Sequence, residues 1–438
     1  MTDALEIKIT SERLEDSPPE EAATFGQFEI RTPLQSLTDG YDSFIENYRS
    51  GPLVSGYPVA EWFAWNWWRL KYEPRTQSDS WARTHTMTMI GAGYVWPNLT
   101  IFSDGVRTVL VSRPSVRPDA KPFRYFGSNA TVVPSTLFES ALDAFLVLIL
   151  GRLSARGING TNLEHLWEDL RIERSEPGLA RRRRLEALMG FDPDEADDAT
   201  LERLIAESDQ VGSAAIDEIA ADSSVSEPEP LSLAGLMDVA RVYGRRGSRR
   251  DRVQSIVGSD TRIDPAVPAW QVGARLAQSL RRQEHLNGHP ISSERLAQLS
   301  GLSRDSIVAD RKNSAQLSFV LDQPASSDFD VVLRSKWETG RRFEVARLLV
   351  DQFLSPDDKL HPATRALTYR QKAQRSFAAE FLAPFDVVDD MLDDDYSAEK
   401  QEEVANHFMV SEMTINSMLK NRGRLPRDEA HDIENAAA

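Results

Sequence analysis

The sequence predicts a predominantly helical α+β protein built in more than one domain. Length is the first reason: 438 residues exceed what one ordinary core holds, and a hydrophobic content of 41% is enough to fill two or three. Periodicity is the second. Apolar residues recur at helical spacing through most of the chain, while strand and turn signals are confined to stretches such as Tyr94–Val133, Gln316–Leu321 and Val331–Leu333. The third is the distribution of tryptophan. Trp62, Trp65, Trp67, Trp68, Trp81 and Trp96 crowd into one segment between positions 62 and 96, which marks an N-terminal Trp-rich α+β domain.

Composition narrows the function classes. The chain has no cysteine, which excludes disulfides and thiolate zinc sites and fits a reducing cytoplasm. Its first residues, MTDALEIKITSERLEDSPPEE, lack the basic start and apolar run of a signal peptide. The longest apolar run, Ala144–Leu150, is far short of the ~20 residues that span a bilayer, so no membrane partner is expected. A net charge of −17 repels phosphate backbones, and any nucleic-acid contact would need a local basic patch.

In chain order, residues 1–24 read as disordered because of the Ser-Pro-Pro-Glu-Glu run. The Trp-rich domain is expected over 25–156. It has a short strand at Phe28, Ile30 and Leu34 and one aromatic helix from Tyr57 to Tyr72. A hairpin turns at Asp104-Gly105, and an apolar helix from Thr136 to Arg156 is stopped by Gly157. Trp62, Trp65, Trp67 and Trp68 form either its core or a stacking surface. No Lys/Arg ladder accompanies them, which favours a core.

Residues 157–260 read as a helical connecting region, with helices at Asn162–Glu173, Gly178–Met189, Ala199–Glu207, Ala214–Ala221 and Leu231–Tyr243 and a linker at Ser223–Pro230. It holds two arginine-dense places, Arg181–Arg184 and the group Arg241, Arg245, Arg246, Arg249, Arg250 and Arg252. The second resembles a phosphate-contacting loop in composition only, and intramolecular pairing is the favoured reading.

A last domain is expected over 265–424, followed by a disordered tail at 425–438. Its EHLNGH segment spaces His285 and His289 as in a zinc helix, but Asn287-Gly288 and Pro290 end the helix between them. Ala297, Leu302, Ser303 and Ile307 repeat in spacing as Ala405, Val410, Ser411 and Ile415, the pattern of a helix-turn-helix. Such pairs either read DNA or serve as packing elements, and the acidic total favours packing. The acidic run Asp386–Asp395 lacks the glycine and closing glutamate of a calcium loop.

Two amphipathic segments dominate this domain, RRFEVARLLVDQFL from Arg341 and QKAQRSFAAEFLAP ending at Pro384. Phe343, Ala346, Val350 and Phe353 share one helical face, and Phe377, Ala378, Phe381 and Leu382 another. Both segments resemble the core helices of the ImmA/IrrE family of zinc metallopeptidases, whose wording is R-F-x-x-A-H-E-x-x-H-x-L and E-x-E-A-N-x-F-A-A-x-L-L-x-P. Arg342, Phe343, Ala346 and Leu354 match the first pattern; Phe377, Ala378, Ala379, Leu382 and Pro384 match the second.

The resemblance implies a zincin-like C-terminal domain, but the chemistry has departed. Arg347 and Asp351 stand at the two histidine-ligand positions, Leu348 at the general base, and only Gln371 and Ala373 lie in the third-ligand region. Arginine has donors and no acceptor, and leucine cannot take a proton from water. A catalytic zinc needs three protein ligands and an open position, so no metal and no cofactor is expected. The i, i+4 spacing lets Arg347 and Asp351 pair where the metal would have sat.

The expected function is therefore non-catalytic: a protein-interaction or sensing subunit in stress response, mobile-element control or anti-phage defence, with another protein as partner. Two alternatives stand beside it, an active metal-dependent endopeptidase with rewired ligands such as Asp351 and His361, and a helix-turn-helix DNA-binding regulator.

Overall fold

A computed structural model describes residues 4–76, 78–116, 122–225, 229–257, 263–309, 315–323 and 326–426. It has the α+β character expected and divides into two compact units between Asp197 and Asp198. Among the described residues no helix is long and apolar enough to cross a membrane.

The first unit contains β1 (Glu6–Ser11), α1 (Pro19–Thr24), β2 (Phe25–Arg31), β3 (Gly40–Asp42), β4 (Asn47–Arg49), β5 (Leu53–Ser55), α2 (Gly56–Trp65), α3 (Trp67–Tyr72), α4 (Asp79–His85), β6 (Leu99–Ser103), β7 (Arg107–Ser112), β8 (Phe123–Tyr125), β9 (Asn129–Pro134), α5 (Ser135–Ala155), α6 (Asn162–Ser175) and α7 (Pro177–Met189). Three antiparallel three-stranded sheets run β1-β2-β5, β4-β3-β8 and β6-β7-β9.

Here the expectation of a disordered N-terminus fails. Leu5, Ile7 and Ile9 alternate with polar residues, so β1 buries one face along β2, and the Ser-Pro-Pro-Glu-Glu run leads into α1. The single aromatic helix also fails: it breaks at Asn66, whose side chain donates to the Trp62 carbonyl at 2.8 Å. Trp67 and Trp68 are core residues, Trp62 is half-buried, and Trp65 is 54% exposed.

The unit ends some forty residues later than the sequence suggested, because buried charges tie α6 and α7 to the tryptophan segment. Trp68 Nε1 donates to Glu173 at 2.7 Å, and Arg183 binds Glu173, Glu186 and Asp194. Arg69 pairs with Glu73 and Asp192, while His85 bridges Glu73 (2.9 Å) and the Ile101 carbonyl (2.7 Å) under the stacked Trp81 ring. Burial pushes the Glu73 carboxyl up, but His85 and Arg69 more than offset this and hold it below the usual range.

The second unit contains α8 (Asp198–Val211), α9 (Ser213–Ser223), α10 (Leu233–Tyr243), β10 (Arg245–Ser248), α11 (Ala269–Gln283), α12 (Ser293–Leu299), α13 (Asp305–Val308), β11 (Ser318–Asp322), β12 (Asp328–Val332), α14 (Glu338–Leu354), β13 (Leu360–Ala363), α15 (Tyr369–Leu382), α16 (Phe385–Leu392), α17 (Ala398–Phe408) and α18 (Glu412–Asn421). An antiparallel sheet runs β10-β12-β11-β13. α14 and α15 pack on one another through Ala346, Leu349, Val350, Phe377, Ala378 and Phe381 in one core. α11 lies so close to α15 that a Cβ on Gly273 would stand 2.2 Å from the Ala373 carbonyl oxygen.

The expected start of this domain near 265 is also corrected. β10 pairs with β12 and α9 packs against β13, so the chain from Asp198 belongs to it. Both helix pairs with helix-turn-helix spacing are clamped to the N-terminal turn of α14. Arg341 donates to the Ile307 and Val308 carbonyls that end α13; the fully buried Arg342 donates to Met409 O (3.1 Å), Ile291 O (2.6 Å) and Ser293 Oγ (2.9 Å). Gly301 and Met409 take left-handed conformations at the two turns. His285 and Asn287 also have positive φ, and α11 ends at Gln283; His289 leaves the helix as expected, but His285 lies outside it too, ahead of the expected stop at Asn287-Gly288. Three of the linker residues, 226–228, and tail residues 427–438 lie outside the described residues.

Candidate functional site

α14 carries Arg347 and Asp351 toward β13 and α15, and both are buried. The expected pair between them does not form. Asp351 is instead held by Arg370 at the start of α15, through two bonds, Nε–Oδ1 at 2.7 Å and Nη2–Oδ2 at 2.5 Å. Bidentate guanidinium–carboxylate geometry across two helices is stronger than a pair of side chains stretched along one helix, which explains the exchange. Arg370 also reaches Asp358 at 2.8 Å. Gln374 donates to Asp351 Oδ1 at 2.7 Å, and His361 on β13 approaches Oδ2 at 3.2 Å.

Arg347, freed from Asp351, turns its Nη2 to Gln371 Oε1 (2.5 Å) and the Thr364 carbonyl (2.7 Å). The same Gln371 oxygen accepts from Thr364 N at 3.0 Å, and its amide nitrogen donates to the Pro362 carbonyl at 3.1 Å. β13 is an edge strand, and these amides block part of its open side: Pro362 has no N–H, and its carbonyl is taken by Gln371 and Gln374. Of the other two positions singled out from the sequence, Leu348 packs into the hydrophobic core. Ala373 is buried where α15 meets α11.

A further wall comes from α9, which the sequence did not mark. Glu218 accepts from Thr368 Oγ at 2.8 and 3.0 Å, and Asp222 accepts from the Arg365 amide at 2.7 Å. The available signal was the pair of acids, Asp217 and Glu218, set between Ile216 and Ile219 and buried with them. Arg375 caps the same loop by donating to the Arg365 and Ala366 carbonyls.

Electrostatics follow from this enclosure. Burial pushes the Arg347 guanidinium down to about 9, with Arg375 adding repulsion. Burial raises the Asp351 carboxyl, but Arg370 and then His361 more than offset this and hold it well below the carboxylate range. Burial likewise lowers Arg370, and Asp351, Glu218 and Asp358 return it above its ordinary value. Glu218, pushed up by burial and only partly relieved by Arg370 and Thr368, reaches about 7. Arg347 Nε, His361 Nε2, Gln374 Oε1 and Thr364 Oγ1 are buried with no protein partner, so this interior is polar beyond its ion pairs.

The arrangement can hold charge but has no ligand set. Among the described residues no three His, Cys, Asp or Glu side chains come together so as to bind a metal ion. His361 and Asp351, the rewired pair, do meet, yet both Asp351 oxygens are already bound by Arg370.

The remaining sequence candidates are dispersed. Arg245 and Arg246 lie on β10, Arg246 pairing with Asp330 at 3.3 Å and Arg249 with Asp322, while Arg250 is exposed. Pairing, as expected, neutralises part of that group. No family model, curated protein or solved structure matches the chain.

Proposed function

We propose that the protein is a non-catalytic relative of the ImmA/IrrE metallopeptidases with a zincin-like second unit. In this reading it is a protein-interaction or sensing subunit in stress response, mobile-element control or anti-phage defence, located in the cytoplasm. The observation that carries the reading is what stands at the degenerate positions. Arg347 is bonded to Gln371 and Asp351 to Arg370, so two would-be ligand positions and their third-ligand neighbour are consumed by one buried network. A cationic guanidinium facing that network opposes a divalent ion by charge as well as by its lack of lone pairs. The buried network keeps α14 and α15 together without a metal, which is what a scaffold that has lost its catalyst requires.

The helix-turn-helix alternative is weaker, since Arg341 and Arg342 use both helix pairs as packing elements. α18 also opens on the exposed Glu412, where a reading helix would meet phosphate.

Metal analysis tests the reading. A structural zinc contributes ~10–16 kcal/mol of apparent binding energy, so its presence or loss is unmistakable in stability. Protein purified without added metal should carry less than stoichiometric zinc, and chelators should leave its melting temperature unchanged. One tightly held zinc per chain, lost on Asp351→Ala, would sink the proposal.

A further inference from the structure

The first unit carries an exposed apolar surface on its β4-β3-β8 sheet. The β3–β4 hairpin turns through Ser43–Glu46, with Asp42 Oδ1 accepting from the Phe44 amide at 2.9 Å and Ser43 N donating to the Pro122 carbonyl. This rigid turn holds Phe44 85% and Ile45 49% exposed. Behind it Tyr48, 72% exposed, packs edge-on to Tyr41 at 5.5 Å and against Phe126, 47% exposed, at 5.8 Å. Four large apolar side chains thus stand together in water on a small sheet.

Taking ~200 Å² for each aromatic side chain, they expose on the order of 500 Å². A patch of ~300–600 Å² is the largest that an ordinary monomer shows and is often functional. One face of a standard protein interface covers ~800 Å², of which just over half is apolar, so the patch is the right size for one side of such an interface.

Charge identifies the other side. Among the described residues, Glu46 at the turn and Asp39, whose carboxylate lies beside Gly127 next to Phe126, form no ion pair. The cations on the same sheet are engaged: Arg49 pairs with Asp42 at 3.2 Å, and Arg124 has its own partner. The patch therefore combines rigid aromatics with two uncompensated carboxylates. A second copy of a chain carrying −17 would bring like charge to meet them, and an acid at the apex opposes insertion into lipid.

We infer that the β3–β4 hairpin tip, with Phe126, docks into an apolar cleft of a partner protein whose rim carries lysine or arginine. This surface is independent of the pseudo-peptidase reading of the second unit. The aromatics supply pre-ordered apolar contact, and Glu46 and Asp39 orient the encounter.

The test uses the full-length chain with a photo-crosslinking phenylalanine analogue in place of Phe44, expressed and irradiated in the native host. The expected result is an adduct with one other polypeptide, joined at a peptide that holds Lys or Arg beside apolar residues. That adduct should fall at least several-fold when Asp39→Lys and Glu46→Lys are added, with an unchanged melting temperature. An adduct indifferent to the charge reversals, an adduct between two copies of the chain, Phe44-dependent flotation with phosphatidylcholine vesicles, or no adduct at all would each overturn the assignment.

Discussion

Glu218 offers the most direct test of the buried network, through its pH dependence. Its carboxyl is pushed up to about 7 from an ordinary value near 4.5 by burial, with Asp351 and Asp217 adding repulsion and Arg370 and Thr368 opposing it. Arg347 and Arg375 face it as well. A folded-state value raised above the unfolded one means that the folded protein prefers the protonated acid. The associated stability is fully present below about pH 4.5 and is lost as pH rises through about 7. At ~1.4 kcal/mol for each tenfold change in proton affinity, the whole effect is about 3 kcal/mol, of which roughly 2.5 kcal/mol falls between pH 5 and pH 8.

Glu218→Gln keeps the size and the acceptor for Thr368 Oγ but cannot ionise. Its stability relative to the wild type should therefore rise by about 2.5 kcal/mol between pH 5 and pH 8, measured by urea unfolding of both proteins at constant ionic strength. The comparison cancels every other titrating group that the two proteins share. Parallel stability curves across that range would mean that Glu218 is ionised in the folded state without penalty, and the description of α9 as a wall of a buried charge network would fail.

Two other substitutions probe the same unit. Asp351→Leu should cost about 3–5 kcal/mol because it strands the buried Arg370, whereas Asp351→Leu with Arg370→Met should cost less than Asp351→Leu alone; denaturant unfolding of the two variants decides this, and a double variant less stable than the single would refute the pairing. Gly273→Ala should destabilise by about 1–3 kcal/mol, read as a lowered melting temperature. The new Cβ meets the backbone of α15, 2.2 Å from Ala373 O and 2.7 Å from Phe377 N, where nothing flexible can yield.

How far the sequence could be read depended on whether the signal was local. The helices α5 to α10 emerge within a few residues of their expected bounds, because each carries its own apolar stripe, and some their own stop, such as Gly157 after α5. β1 was hidden by its neighbour: the Pro-Pro-Glu-Glu run dominates the composition of the first residues, although Leu5, Ile7 and Ile9 already alternate. β10 and β13 are four residues each, RRGS and LHPA, and carry no alternation that distinguishes them from loop. Their pairing with β12 and β11 is long-range information. The same limit explains the site. Spacing on one helix suggested Arg347 with Asp351, but the true partners, Gln371 and Arg370, are 24 and 19 residues away and meet only when α15 folds back on α14.

Charge balance ties Arg347 and Asp351 to the position of the unit boundary. Three arginines, Arg347, Arg370 and Arg375, converge on the interior of the second unit, and α14 and the α14–β13 loop answer them with Glu344, Asp351 and Asp358. The remaining acids, Glu218 and Asp222, come from α9. Without α9 the buried Arg375 would lose the two acids that face it, in a place where Arg347 is already pushed down to about 9. α9 is therefore integral to the second unit and not part of a linker, and the chain has to divide before α8 and not near residue 265. The same balance binds Arg347 and Asp351 to the rest of the fold. Replacing Asp351 by histidine would leave Arg370 with Asp358 alone, and replacing Arg347 would leave Gln371 Oε1 with only the Thr364 amide. The site is thus a set of mutually dependent residues across α9, α14, β13 and α15, in which a change at Arg347 or Asp351 leaves a buried partner short of a bond.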